Sequence, residues 1–287
     1  MNTMFNPKKF HKSQIKFHLI LIPLSLFMSL PIIYIVNDAF KPFTELFHYP
    51  PRFFVRKPTL ENFRLLYTFS SESGIPMSRY LFNSIFVAII VVVLTVFIST
   101  ISAFALSKFK FKGHKVLFKI NTYALMFVPI AVSIPRYLIL TRLGIFNTYF
   151  AHIIPMLAMP VGLFLVKQFM DQVPDELLEA AVMDGASNWQ IYAKIMFPLT
   201  KSAIVTVAFL AFQQSWMSTE ASNIFVDVEA LRTLPFYLST LSQQTGNIVA
   251  ARGISAAGWL IMFLPNLFIF VFLQSRVMES MANSGIK

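Results

Sequence analysis

Six stretches of this chain, 17–37, 80–107, 120–135, 143–166, 202–219 and 253–275, contain no Asp, Glu, Lys or Arg. An uncharged apolar run of about 17 to 25 residues can cross a hydrocarbon core roughly 30 Å thick as a helix. Soluble domains, in which about a quarter of residues carry charge, interrupt such runs; here 56% of residues are hydrophobic and 13% charged. The expected fold class is an all-α integral membrane protein with six transmembrane helices. Run 120–135 is the shortest, but Lys115 and Lys119 can snorkel back to the interface, so the span is expected to begin near Val116. Pro23, Pro31, Pro129, Pro135, Pro155, Pro160 and Pro265 lie inside or at the ends of these runs. Kinks are expected there, tolerated in a bilayer where neighbours re-satisfy the freed carbonyls.

The net charge of +11 is read through its distribution. Lys8, Lys9, Lys12 and Lys16 precede the first run, and Lys108, Lys110, Lys112, Lys115 and Lys119 follow the second, with no acid among either group. Cytoplasmic segments are enriched in Lys and Arg, which places both groups and both termini inside and argues for membrane orientation, with no nucleic-acid partner. The expected organisation is a cytoplasmic tail 1–16, a first span 17–37, an extracytoplasmic loop 38–82, a permeation core 83–277 and a cytoplasmic tail 278–287. Within the core the spans are 83–107, 116–135, 149–170, 201–219 and 254–276, with an inner loop over 171–200. The basic and then apolar N-terminus has the outline of a signal peptide, but its apolar run is too long and no small-x-small site follows Pro31, so it reads as a retained helix. In the outer loop, Thr59-Leu60-Glu61-Asn62 has the form of a short-helix start; before the sixth span, 231–241 looks like an amphipathic or broken helical segment and Gln243 to Asn247 is polar and turn-prone.

The inner loop is the most structured message in the chain. Pro174 stands where a helix would begin, with Asp175 and Glu176 in its first turn, where carboxylates suit the positive end of the helix dipole. Gly185 follows as a C-terminal breaker, and Ser187 with Gln190 has the spacing of a capping box that opens a second helix. Pro198 ends that helix or hinges it into the fifth span, while Ala180, Ala181 and Ala186 keep the turn small enough for another surface to approach.

This loop resembles the one that identifies membrane subunits of bacterial ATP-binding-cassette importers, whose pattern is Glu-Ala-Ala, three residues, Gly, nine residues, Ile, one residue, Leu-Pro. Here it reads Glu179-Ala180-Ala181, Gly185, Ile195, Phe197-Pro198, with Phe197 the one departure. The resemblance runs along nearly the whole chain to the carbohydrate-uptake, maltose-type branch: Tyr80 to Ser84, Phe111-Lys112-Gly113, Ile134-Pro135, Gly144 with Asn147-Thr148-Tyr149, Thr233-Leu234-Pro235, Gln274 and the end Ser284 to Lys287. It departs around Trp216, where the family often has Trp-Asn and this chain has Met217 and Ser218.

The resemblance implies a permease in a bacterial cytoplasmic membrane that pairs with a second, different permease, two ATPase subunits and an extracytoplasmic solute-binding protein. It assigns ATPase coupling to Glu179, Ala180, Ala181, Asp184, Gly185, Ala186, Ile195 and Pro198. No cofactor is expected on this chain, ATP and Mg being used by the partner ATPase. Polar residues within the spans, Asn121, Tyr123, Gln213, Gln214, Ser215, Trp216 and Asn266, are the candidates for a solute path, since sugar hydroxyls need partners and sugar C–H faces stack on rings. The competing reading of each is a hydrogen bond between helices; His18 and His152 read as interfacial or packing residues.

Other classes fit poorly. The chain has no G-x-x-x-x-G-K-[ST], H-E-x-x-H or G-x-S-x-G motif, no cysteine, and no metal-ligand spacing among its five histidines. A non-catalytic transport subunit is expected. An ion-coupled transporter would keep ionisable groups in its spans, which the six runs lack. An importer of the same superfamily for a non-sugar solute is the alternative.

Overall fold

The computed structural model describes residues 14–72, 74–244 and 248–284, and among these every regular element is helical. In chain order the α-helices are α1 (Ile15–Phe40), α2 (Phe43–Leu46), α3 (Glu61–Glu72), α4 (Met77–Lys108), α5 (His114–Ala124), α6 (Ser133–Arg142), α7 (Tyr149–Leu157) and α8 (Pro160–Asp171). They continue with α9 (Asp175–Met183), α10 (Asn188–Ile191), α11 (Phe197–Leu199), α12 (Lys201–Met217), α13 (Glu220–Ile224), α14 (Leu234–Gln244) and α15 (Ile248–Ser284). A π-helical turn, Tyr192–Met196, joins α10 to α11. Of the segments carrying sequence expectations, Lys8, Lys9, Lys12, Thr245 to Asn247 and Gly285 to Lys287 lie outside the described residues.

Three described helices are long and apolar enough to cross a membrane: α1, α4 and residues Ala251–Gln274 of α15. Two bent pairs, α7 with α8 and the stretch Asn188–Leu199 with Lys201–Ile224, pass the same test jointly, giving up to five. The single span expected over 116–135 is instead broken: α5 ends at Ala124, a 3-10 turn covers Pro129–Val132, and α6 starts at Ser133. The cause is local. Proline drives the residue before it out of the helical region, and Val128 is extended at φ −76°, ψ 127°. Pro160 acts alike: Met159 leaves the helix at φ −111°, ψ 87°, and α7 and α8 meet at 42°. By contrast Pro23, Pro31 and Pro265 sit inside continuous helices.

The chain divides into two units. The first comprises residues up to Phe69 with Leu241–Ile261. In it α1 exposes apolar side chains on every face, Phe17, Leu19, Ile22 and Phe27 among them, and buries only Asp38 and Ala39 at its end. Asp38 is the centre of a buried polar knot: Lys41 Nζ donates to its Oδ1 at 2.6 Å and Arg252 Nε to its Oδ2 at 2.9 Å. Asn62 Nδ2 donates to the carbonyls of Ala39 and Lys41 at 3.0 and 2.8 Å, satisfying acceptors that the end of α1 leaves open. Nearby, the Arg56 and Lys57 amides donate to Glu45, and with the charges of Arg52 and Lys41 they hold its carboxyl below the usual range.

The second unit comprises Ser70–Thr240 and the chain from Met262 onward, and α4 is its axis, packed by α7, α8 and α12. Gly162 lets α8 close on its neighbours: a Cβ there would lie 3.0 Å from Val207 and 3.1 Å from Ser99. At one end of α4 the sequence landmarks meet. Tyr80 stacks on Tyr237 with ring centroids 4.8 Å apart and donates to Glu229 at 2.7 Å. Fully buried Asn83 donates to Ala230 O and Arg232 O and accepts from Tyr149. Ser84 Oγ accepts from Leu234 N, and Asn147, at φ 56°, presents its side-chain oxygen to the amides of Asp227 and Val228.

Candidate functional site

At the other end of α4 the chain builds a helix, a tight turn and a second helix. Pro174 is the N-cap residue of α9, and Asp175 and Glu176 occupy the first turn. The helix ends in a full Schellman motif: Gly185 N donates to Val182 O and Ala186 N to Ala181 O, both at 2.9 Å, around Gly185 at φ 82°. Two residues on, Ser187 Oγ accepts from Gln190 N while Gln190 Oε1 accepts from Ser187 N at 2.7 Å, a complete capping box. The turn is thus specified from both sides by bonds within a dozen residues.

One side of this element is anchored. Ile191, Tyr192 and Met196 are buried in a cluster with Ala103, Phe104, Val166, Phe169, Met170, Ala203 and Val207, and Leu178, Ala181 and Ala186 pack against it. The Tyr192 hydroxyl lies 2.7 Å from Thr100 Oγ1 in the interior. Lys108 Nζ donates to Val173 O at 2.6 Å and to Asp175 at 2.7 Å, and that hydrogen bond and charge hold the Asp175 carboxyl below the usual range. Ser107 and Lys167 both donate to Asp171 at 2.7 Å. The other side is open: Glu179, Ala180, Asp184, Gly185 and Pro198 are exposed, as are the large apolar side chains of Leu177, Val182, Met183 and Trp189. Exposed apolar side chains set beside exposed carboxylates are a combination suited to a protein-docking surface.

A separate feature of the same unit is a cavity of about 590 Å³ bounded by α6, α7, α12 and α13. Its polar lining consists of Arg136, His152, Gln214, Ser218 and Glu220, and its apolar lining includes Phe127, Met156, Met217 and Phe225. Arg136 Nη1 contacts both carboxylate oxygens of Glu220, at 2.7 and 2.8 Å. His152 Nε2 is 3.1 Å from Leu231 O.

Residues 18–276 match the family model for the binding-protein-dependent transport system inner membrane component. The chain belongs to that family. Among its relatives are the inner membrane ABC transporter permease protein YcjP of Escherichia coli, 29% identical over 90% of both chains, and the arabinooligosaccharides transport system permease protein AraQ of Bacillus subtilis, 28% identical over 97% of this chain and 98% of that one. The fold matches a chain in the crystal structure of a bacterial ABC transporter involved in the import of the acidic polysaccharide alginate. That match has a TM-score of 0.77 at 21% identity, covering 93% of this chain and 98% of the other.

Within this inner membrane component the candidates from sequence separate. Of the seven solute-path candidates, Gln214 alone lines the large cavity. Asn121 donates to Pro160 O at 3.1 Å and lines a smaller cavity of about 140 Å³. Trp216 is buried, stacks on Phe212 and donates to Met262 O at 2.9 Å, a packing role between helices. Ser215 Oγ and Asn266 Oδ1 are buried without a hydrogen-bond partner, and Tyr123 and Gln213 are exposed. His152, read from sequence as an interfacial or packing residue, is buried and also lines the cavity. Arg136 and Glu220 escaped notice because each stands just past the end of an uncharged run, where charges were treated as boundaries.

Proposed function

We propose that this chain is the permease subunit of an ATP-driven importer in a bacterial cytoplasmic membrane, forming half of the translocation path for a carbohydrate. The observation that carries the reading is the two-faced α9–α10 element, anchored through Tyr192 and Lys108 to α4 and exposing Met183, Trp189 and Glu179 on the other side. A surface anchored in this way can pass a partner's movement to the membrane helices. In this reading the partner is an ATPase that binds ATP and Mg; Glu179, Ala180, Asp184, Gly185 and Pro198 form the exposed part of its seat, and the partly buried Ala181, Ala186 and Ile195 support it. The 81° corner between Asn188–Leu199 and Lys201–Ile224 turns that seat into the fifth span.

The chain then has six spans with both termini in the cytoplasm, the third being the broken segment from His114 to Arg142. It pairs with a second, different permease, two ATPase subunits and an extracytoplasmic solute-binding protein. The relatives' names favour an oligosaccharide, as in AraQ. Membership of the binding-protein-dependent family, with a relative named as an ABC transporter permease, favours ATP drive over ion coupling.

Gly185 offers the test. A Cβ at this residue would have open space within 4 Å, so a side chain added there projects to where a partner would dock. Asn tolerates the left-handed conformation that Gly185 adopts. Gly185→Asn is expected to keep the turn, insert normally and still lose ATPase co-purification and uptake; undiminished co-purification and uptake would sink the coupling assignment. Screening the companion binding protein against sugars by thermal shift tests the cargo separately, and binding of no carbohydrate would overturn that part.

A further inference from the structure

We propose that Arg136 and Glu220 together form a hydroxyl-binding subsite for a neutral oligosaccharide, and that their pairing disfavours acidic sugars; the inference rests on the carbohydrate-importer reading. The geometry of the pair is the starting point. An arginine that served only to tie α6 to α13 would gain most from a fork-to-fork contact, with two nitrogens each meeting one oxygen. Here one nitrogen, Nη1, takes both Glu220 oxygens, and Nε and Nη2 make no hydrogen bond among the described residues. The guanidinium is held in place with most of its donors unspent at the wall of a cavity of about 590 Å³, within the roughly 300–1,000 Å³ of small-ligand sites.

The rest of the lining fits the same class of ligand. The Gln214 amide, on the same wall, makes no hydrogen bond among the described residues, and Phe127 and Met156 supply the apolar surface against which sugar C–H groups pack. A hydroxyl can accept from the guanidinium and donate to Glu220, whose two oxygens keep spare lone pairs. Charge then sets the preference. Arg136 and Glu220 are the only Asp, Glu, Lys or Arg side chains lining the cavity among the described residues, and they cancel. A uronate entering would compete with Glu220 for a cation already paired and would bring two carboxylates together, each raising the cost of ionising the other.

The chain has no cysteine, so a single Gln214→Cys gives a probe in the cavity wall without background from this subunit. The assembled transporter, reconstituted with its ATPases and second permease, is treated with a small methanethiosulfonate reagent, and labelling of this chain is followed by mass spectrometry. A pool of arabino-, malto- and xylopentaose is expected to slow labelling at least about 3-fold at concentrations of about twice its Kd or more, and alginate pentasaccharide to leave the rate unchanged. Adding Glu220→Gln, which frees the cation, should reverse that order. If Glu220→Gln fails to assemble, Arg136→Gln should abolish protection by the neutral pool without creating protection by the uronate. Ser218→Cys, on the same wall, serves if Gln214→Cys is itself inactive. Equal protection by both sugars, or none, overturns the proposal. Wild-type uptake separates it from its foundation: a transporter that carries neutral sugar while Cys-labelling is unprotected refutes the subsite alone, whereas one that carries no carbohydrate refutes the importer reading.

Discussion

Replacing Asn83 by Leu would strand two carbonyls, those of Ala230 and Arg232, and the Tyr149 hydroxyl, all bonded to its amide at 2.7 to 2.9 Å in the interior. Each unsatisfied buried group costs about 1–3 kcal/mol, so N83L is expected to lower the thermal midpoint of the purified protein far more than a surface change. The Lys108 contacts divide unequally. Lys108 is 8% exposed and Asp175 76%, so Asp175→Asn should cost under about 1 kcal/mol, as exposed ion pairs do. Lys108→Met also strands Val173 O and should cost about 1–3 kcal/mol. Asp175 titrates lower in the folded loop than in an unfolded chain. Its contribution is therefore complete above about pH 4 and is lost as pH falls through the lower folded value. The protection factors of the α9 amides, exchange rates taken relative to the intrinsic rate at each pH, should fall in that acid range and stay constant through neutral pH.

At the scale of elements, Gly162→Val is the sharpest probe of the α4, α8 and α12 packing. Its branches would enter space where a Cβ alone already stands 3.0 Å from Val207, at an overpacking cost of about 1–3 kcal/mol, visible as reduced thermal stability with insertion unchanged. The helix-turn-helix of the 171–200 loop was legible in sequence because its determinants are local: Ser187 and Gln190 cap each other three residues apart, and Gly185 sits in a turn closed by a bond from Ala186 to Ala181. The broken third segment was not. Pro129 was visible, as were Pro23 and Pro31, but only the former ends its helix, since in a membrane the outcome depends on neighbours that can accept or supply the freed bonds. Arg136 and Glu220 were illegible as a pair for a related reason. They are 84 residues apart, and nothing near either one specifies the other.

For the molecule as a whole, the proposed topology has a direct check in the same cysteine-free background. Lys112→Cys and Asn188→Cys should react with an impermeant thiol reagent only in inverted vesicles, and Glu61→Cys only in right-side-out cells; labelling of Asn188→Cys from outside would reverse the assignment. Asp38 offers a stability test in the first unit. Asp38→Ala would leave the buried Lys41 ammonium and the Arg252 guanidinium without their shared anion, a loss of about 3–5 kcal/mol for a broken buried pair, read as a fall in thermal midpoint that Lys41→Ala should partly offset. The knot also imposes an order of events on biosynthesis. Asp38 can meet Lys41 as soon as both have left the ribosome, but Arg252 follows 214 residues later. Through most of translation the first helix therefore waits in the bilayer with its end half-paired, and the last helix completes what the first began.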